Sequence, residues 1–388
     1  MKESPFIKVI FRELGRLRRR PRYLIVVTLG IVFSYVFFIT LMYDGQPQKL
    51  PVAVVDHDAS YLSRRLCQEL NATQGVKVVA VYDNHMQARK AIQRQDIYAF
   101  IEIPEGTYAN LLDFKTPHLA LYTSNTYLLP GQLSYRSLAT ICRLASGAVH
   151  REILRKQGVD DQAITYAIQP IAIDAHYISN PTANYQPYVL TTVLPGIIGL
   201  MAVIFTLYII GEEQHLSTAR HWIKVAQGNI MAALAGKLLP YFLYFSLLTI
   251  IGNLILFGPL HYTLQGSFLA LSLLSILYIA ALQAVAVFIV ALVPDMHLSI
   301  CIGAIYTTLA FTMSGFSFPV TSMPPALQGF SIIFPLRHYY LTYVDIALYD
   351  APFFQGLLHA LPLLALCATF FIASLLIYRN YTKTAAMS

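Results

Sequence analysis

Six stretches of this chain run for about 20 residues without an Asp, Glu, Lys or Arg, the length a helix rising 1.5 Å per residue needs to cross a bilayer core of about 30 Å. They cover residues 23–43, 188–210, 238–257, 268–293, 298–316 and 357–378, and each predicts a transmembrane helix. Residues 44–187 follow another rhythm, in which short apolar runs alternate with polar, helix-like stretches. The segments PVAVVDHD, VKVVAVY, YAFIEIP and HLALYTSN read as strands, residues 62–70, 86–93 and 130–158 as helices, and IAIDAHYISNP as a return segment. The pattern predicts a polytopic α-helical membrane protein of six transmembrane helices, with an α/β domain inserted between the first two.

Basic residues orient these spans, because Lys and Arg in short loops stay on the cytoplasmic side. Lys2, Lys8, Arg12, Arg16, Arg18, Arg19, Arg20 and Arg22 precede the first span, Arg220 and Lys224 follow the second, and Arg379 and Lys383 follow the sixth. The loop after the third span has neither, and residues 317–356 have only Arg337. Both termini, 1–22 and 379–388, are therefore expected in the cytoplasm with segment 211–237, and 44–187 and 317–356 outside. The first span has too heavy a basic flank, and no small-residue site after it, for a cleaved signal peptide. Within the N-terminal tract Phe6, Ile10, Leu14 and Leu17 recur at helical spacing, which predicts a basic amphipathic helix lying flat on the inner leaflet.

Composition agrees with a bilayer: 56% of the 388 residues are apolar and only 12% charged. The net charge of +7 gathers in the first two dozen residues, beside a span, so it reports topology rather than nucleic acid. Cys67, Cys142, Cys301 and Cys367 lack metal-site spacing. A Cys67–Cys142 disulfide and two unpaired thiols are the alternatives outside the spans, the second the blander.

Chemistry within the spans is sparse. A gradient-driven transporter places ionisable residues at mid-depth; here Lys237 and His359 stand at predicted span ends, where Lys237 is expected to snorkel to water. The pair Gly236-Lys237 lacks the flanking residues of a phosphate-binding loop, and HExxH and GxSxG motifs are absent. His57 between Asp56 and Asp58 is better read as a strand entering a polar turn than as an acid–base site. The aromatic run Tyr185-Gln186-Pro187-Tyr188 marks a membrane interface rather than a sugar platform. The driving force is expected from a partner.

Three matches, the second in two stretches, resemble the ABC-2 permease family. SGFSFPVTSMPPALQGFSIIFPLRHYY, from Ser314 to Tyr340, is similar to the segment those permeases carry between their fifth and sixth spans. PVAVVDHDASYLSRRLCQEL and DAHYISNPTANYQPYVLTTVLPGIIG look like the two ends of the external domain in the multidrug-efflux branch. GEEQHLSTARHWIKVAQGNIMAALAGKLLPY, from Gly211 to Tyr241, lies where the family has its cytoplasmic coupling segment, and departs from it at Leu216-Ser217 and Lys224-Val225, where many members carry Gly-Thr and Thr-Pro.

The resemblance implies a type V ABC exporter-like fold and a permease subunit without its own ATPase or cofactor. A separate cytoplasmic ABC ATPase would use ATP and Mg, and the permease would work as a homodimer or as a heterodimer with a related permease. It also implies a Gram-negative inner membrane. Glu212, Glu213, Arg220, Trp222 and Lys224 would couple the ATPase to the spans. Phe316, Phe318, Pro319, Met323, Pro324, Phe330, Phe334 and Pro335 would form an extracellular lid. Glu213→Lys is then expected to uncouple ATP hydrolysis without loss of folding. Nearly uncharged spans suit an apolar or amphipathic substrate such as a drug, lipid or glycolipid. The external domain either receives that cargo or docks a periplasmic adaptor. A gradient-driven transporter using Asn253, Gln283 and Thr307, and a non-transporting envelope protein anchored by its spans, are the rival readings.

Overall fold

The structure is a computed structural model and describes residues 4–113, 115–171, 173, 174, 176, 178–180, 184–216 and 218–386. Lys2, Ser217 and residues 181–183, all within segments singled out above, lie outside the described residues. Two compact units emerge, one of residues 44–176 and the other of the remaining chain.

The helical unit begins with α1 (Pro5–Arg19), opened by Pro5 at its first turn, and α2 (Arg22–Leu41). The α/β unit then runs β1 (Leu50–Asp56), α3 (Tyr61–Ala72), β2 (Val76–Tyr82), α4 (His85–Gln93), β3 (Ala99–Ile103), α5 (Thr107–Leu112), β4 (Ala120–Thr123), α6 (Leu128–Lys156) and α7 (Asp161–Ile168). Caps fix several of these starts: Ser60 Oγ accepts from the Ser63 amide and Asn84 Oδ1 from the Met86 amide. The sheet order is β2-β1-β3-β4, with β1 parallel to β2 and β3 and β4 antiparallel to β3. Alternation along β1 sends Val52 and Val54 to Leu66, Leu70 and Leu138 on one face. Ala53 and Val55 go to Ala88 and Ala91 on the other. The four strands sit where the sequence placed them; α5 and α7, too short for a clear period, were not anticipated. Cys67 and Cys142 are free thiols.

The chain returns to the helical unit with α8 (Tyr185–His215), α9 (Ala219–Val225), α10 (Ile230–Phe257), α11 (Phe268–Leu292) and α12 (Met296–Met313). Two short helices, α13 (Pro325–Ser331) and α14 (Pro335–Tyr343), lead through a π-helical turn at Val344–Leu348 into α15 (Phe353–Ala386). Six of these helices, α2, α8, α10, α11, α12 and the 355–379 part of α15, are long and apolar enough to cross a membrane. α8 and α11 form the centre and are mostly enclosed, whereas α2 keeps most of its surface outward.

Two boundaries differ from expectation. α8 continues past residue 210 to His215, so Glu212 and Glu213 belong to its last turns rather than to a loop. α10 starts at Ile230, which places Lys237 two turns inside the helix instead of at its end. A third difference concerns α1, whose inward face centres on Val9 and Glu13, both fully buried. Of the stripe expected to face the leaflet, Leu14 is exposed, Phe6 and Ile10 are half-buried, and Leu17 packs against the core.

Candidate functional site

α1 crosses α10 at Gly236, where an added Cβ would stand 2.9 Å from the Phe6 carbonyl oxygen and 3.0 Å from Val9 Cβ. Only a residue without a side chain admits that approach. The next residue, Lys237, is 0% exposed and meets what α1 delivers. Its Nζ donates to Glu13 Oε1 at 3.1 Å and to Glu213 Oε1 at 2.8 Å. Lys237 therefore does not snorkel; burial of the whole ammonium demands internal carboxylates, and two are supplied.

The cluster extends along α1 because residues four apart share a helix face. Arg12 Nη2 donates to both Glu213 oxygens at 2.9 and 3.0 Å, and its Nη1 to Glu13 at 2.8 Å. Arg16 donates to Glu213 at 2.6 Å and to Glu212 at 2.5 Å, and Arg20 to Glu212 at 3.2 Å. Thr218 Oγ1 adds a 2.5 Å bond to Glu213 Oε2. Burial by itself would lower the Arg16 pKa, yet the Glu213, Glu212 and Glu13 carboxylates overcome it and raise the pKa. Three carboxylates and four cations thus bolt α1, α8 and α10 together.

α9 is attached to the same cluster. Trp222, also 0% exposed, lies with its ring centroid 5.5 Å from Lys237 Nζ and donates from Nε1 to the Ala233 carbonyl at 3.2 Å. Arg220 and Lys224 occupy the exposed side of that helix. The five residues of the expected coupling segment therefore divide: Glu213 and Trp222 are wholly internal, Glu212 is nearly so, and Arg220 and Lys224 face outward. Arg12, Glu13, Arg16, Arg20 and Lys237 were not foreseen as members. The legible signals were Glu13 placed among arginines in a basic tract and the four-residue spacing of Arg12, Arg16 and Arg20.

At the opposite end of α8 lies the aromatic segment after α12. Gly315 adopts φ +90°, a left-handed turn that releases the chain from α12. Tyr188 Oη donates to the Phe316 carbonyl, and Tyr306 Oη to the Ile333 carbonyl at 2.5 Å. Phe334 is buried against Tyr306, with ring centroids 5.0 Å apart, and against Phe330 at 5.1 Å. Met323 and Pro335 are likewise buried, Phe316 is half-buried, and Phe318, Pro319, Pro324 and Phe330 are exposed. The eight residues expected to form a lid thus comprise an inner packing set and an outward set.

In the α/β unit Asp56 Oδ1 accepts from the Asp58 and Ala59 amides, a strand-to-turn connection. His57 Nε2 lies 3.4 Å from Glu102 Oε1, while His85 Nδ1 takes Glu102 Oε2 at 2.9 Å. The imidazoles sit on different oxygens of one carboxylate, and no group of three or more His, Cys, Asp or Glu could hold a metal among the described residues. Of the polar span residues, Asn253 Nδ2 donates to Ser275 Oγ at 2.9 Å, and Thr307 Oγ1 donates to the Gly303 carbonyl of its own helix.

A family model described as ABC-2 family transporter protein matches residues 21–376. A search of curated proteins returns no match to the chain.

Proposed function

The chain belongs to the ABC-2 transporter family, whose members form the transmembrane component of transporters and work with a separate ATPase, and from that premise we propose that it is the permease subunit of an ATP-driven exporter. The observation that carries the coupling half of this reading is the buried ionic cluster that fixes α1 and α10 to the last turns of α8. Both termini and α9 face the cytoplasm of a Gram-negative inner membrane, and the α/β unit faces the periplasm. The partner ATPase seats against the exposed side of α9, at Arg220 and Lys224. Force on that helix reaches Lys237 through the buried Trp222 ring, and through Glu213 it reaches α8. The charged cluster transmits force instead of touching the ATPase.

α8 carries the displacement outward. Tyr188 and Glu213 are 25 residues apart on it, hence about 38 Å at 1.5 Å per residue. Rotation of this rod withdraws Tyr188 from Phe316 and loosens the outer segment. The exported substrate is apolar or amphipathic, because the spans present aliphatic and aromatic surface and almost no fixed charge. Two permease copies, identical or related, pair with two ATPase copies, and the transport cycle alternates two states that ATP weights differently.

The test is affinity purification of the tagged chain in mild detergent, with mass spectrometry and vanadate-sensitive hydrolysis measured on what accompanies it. A co-purifying nucleotide-binding protein, lost in an Arg220→Glu/Lys224→Glu variant that still elutes as a folded species, is the expected result. Recovery of the chain alone under several extraction conditions, with export driven by an ion gradient, would overturn the reading.

A further inference from the structure

The α/β unit contains a cavity of about 360 Å³ between α3, α5, the 115–119 segment and α6. That volume lies within the range of small-molecule sites, roughly 300–1,000 Å³. Its floor is aliphatic, formed by Leu66, Leu119, Val149 and Ile153, while Lys115 and His150 stand in its lining as the basic groups. Among the described residues no acidic side chain lines it. Arg143, exposed on α6, precedes His150 by two turns and so shares its helix face. The Lys115 ammonium pairs with Asp113 at 3.5 Å, and both side chains are about two-thirds exposed (68% and 65%), so this ion pair yields readily to another anion.

We propose that this cavity binds a single-chain amphiphile with an anionic head, the acyl chain on the Leu66–Val149 floor and the head between Lys115 and His150. An apolar floor without a chain in it would remain wet, and a chain with a neutral head would leave the basic rim unused. A small inorganic anion would satisfy the rim and leave the floor empty. Only a ligand with both parts matches the arrangement. The site stands on the α/β unit alone and holds whether or not the chain exports.

The test uses the full chain in nanodiscs, irradiated with a diazirine-bearing palmitic acid and digested for mass spectrometry. Cross-links in α3, residues 115–119 and residues 142–153 are expected beside those in the spanning helices. Ala145→Trp, which fills the cavity, should cut the first group about tenfold, the change that about 1.4 kcal/mol of lost binding produces, and leave the second group unchanged as an internal reference. Lys115→Glu/His150→Glu, a surface change that spares folding, should cut capture of the fatty acid but not of a neutral diazirine monoacylglycerol. Cys142 lines the cavity, and burial pushes its thiol up to about 11, so it alkylates slowly. In a Cys67→Ser/Cys301→Ser/Cys367→Ser background, palmitic acid should slow that alkylation further. Cross-links confined to the spanning helices would overturn the proposal. So would equal capture of acid and neutral probe by the wild-type and rim variants, or Cys142 alkylation that ignores the fatty acid.

Discussion

The two ends of α8 are held by different physics. At Glu212 and Glu213 the helix is fixed by charge-assisted bonds to three arginines and a lysine, most of them out of water. At Tyr188 it is held by a hydroxyl on the Phe316 carbonyl and by ring contacts, Tyr188 with Phe316 at 6.2 Å and Phe316 with Tyr340 at 6.5 Å. A buried ion pair has one good arrangement, and removing one partner costs about 3–5 kcal/mol. An aromatic pair contributes about 0.5–1.5 kcal/mol beyond its buried area and tolerates several geometries. The charged end therefore holds register while the aromatic end repacks, an asymmetry that suits a helix driven at one end and gated at the other.

The largest effect that tests this contrast is at Lys237. Lys237→Met leaves Glu13 and Glu213 buried without their ammonium and is expected to lower stability by about 3–5 kcal/mol, read as an earlier thermal unfolding transition of the detergent-solubilised chain. Lys237→Met/Glu13→Gln should recover part of that loss, because one of the stranded charges is gone. Glu213→Lys, which from the sequence was expected to uncouple hydrolysis and leave folding intact, sets a second ammonium where Arg12, Arg16 and Lys237 converge. The geometry now predicts loss of folded protein, and a well-folded Glu213→Lys chain would show that the cluster does not hold the bundle.

Next in size is Arg16→Ala. The guanidinium is about one-fifth exposed (22%) and bridges Glu212 and Glu213, so losing its charge-assisted bonds is expected to cost about 1.5–3 kcal/mol. Added salt should weaken the wild type little there, since an enclosed pair is poorly screened. Stabilities of the wild type and Arg16→Ala converging at high salt would place the cluster in water instead.

These residues also mark where sequence reading stopped. The six apolar runs and the four strands were legible because each is a local signal: a length of about 20 residues, or an alternation of period 2. Glu13 was also visible, as an acid in a basic tract, but its meaning depends on Lys237, 224 positions away. Without that partner the tract looked like topology and lipid contact, and the lysine looked like a side chain reaching for water. The aromatic segment was legible as a cluster of Pro, Gly and Phe. Its division into buried Phe334 and exposed Phe318 was not, because nothing in the local pattern distinguishes the two rings.

The aromatic end should answer differently to comparable changes. Phe334→Leu replaces a fully buried ring with a branched aliphatic side chain, and neighbouring Tyr306 and Phe330 can close over it. The expected cost is about 1–3 kcal/mol, from two aromatic pairs at about 0.5–1.5 kcal/mol each, below that of Lys237→Met. A cost equal to the lysine's would mean that both ends are rigid and that the outer segment does not repack.

The smallest stability change belongs to Phe318, about half exposed at 52%. Phe318→Ser should fall within about 0.5 kcal/mol of the wild type, as surface changes usually do. Its effect on export is separable from that number. If the outward rings are part of the path by which an apolar substrate leaves, then removing one should alter efflux of a fluorescent amphiphile at unchanged thermal stability and unchanged ATP hydrolysis. Efflux that follows stability alone would assign Phe318 to the lipid-facing surface, and leave gating to the buried Phe334 and its half-buried neighbour Tyr306.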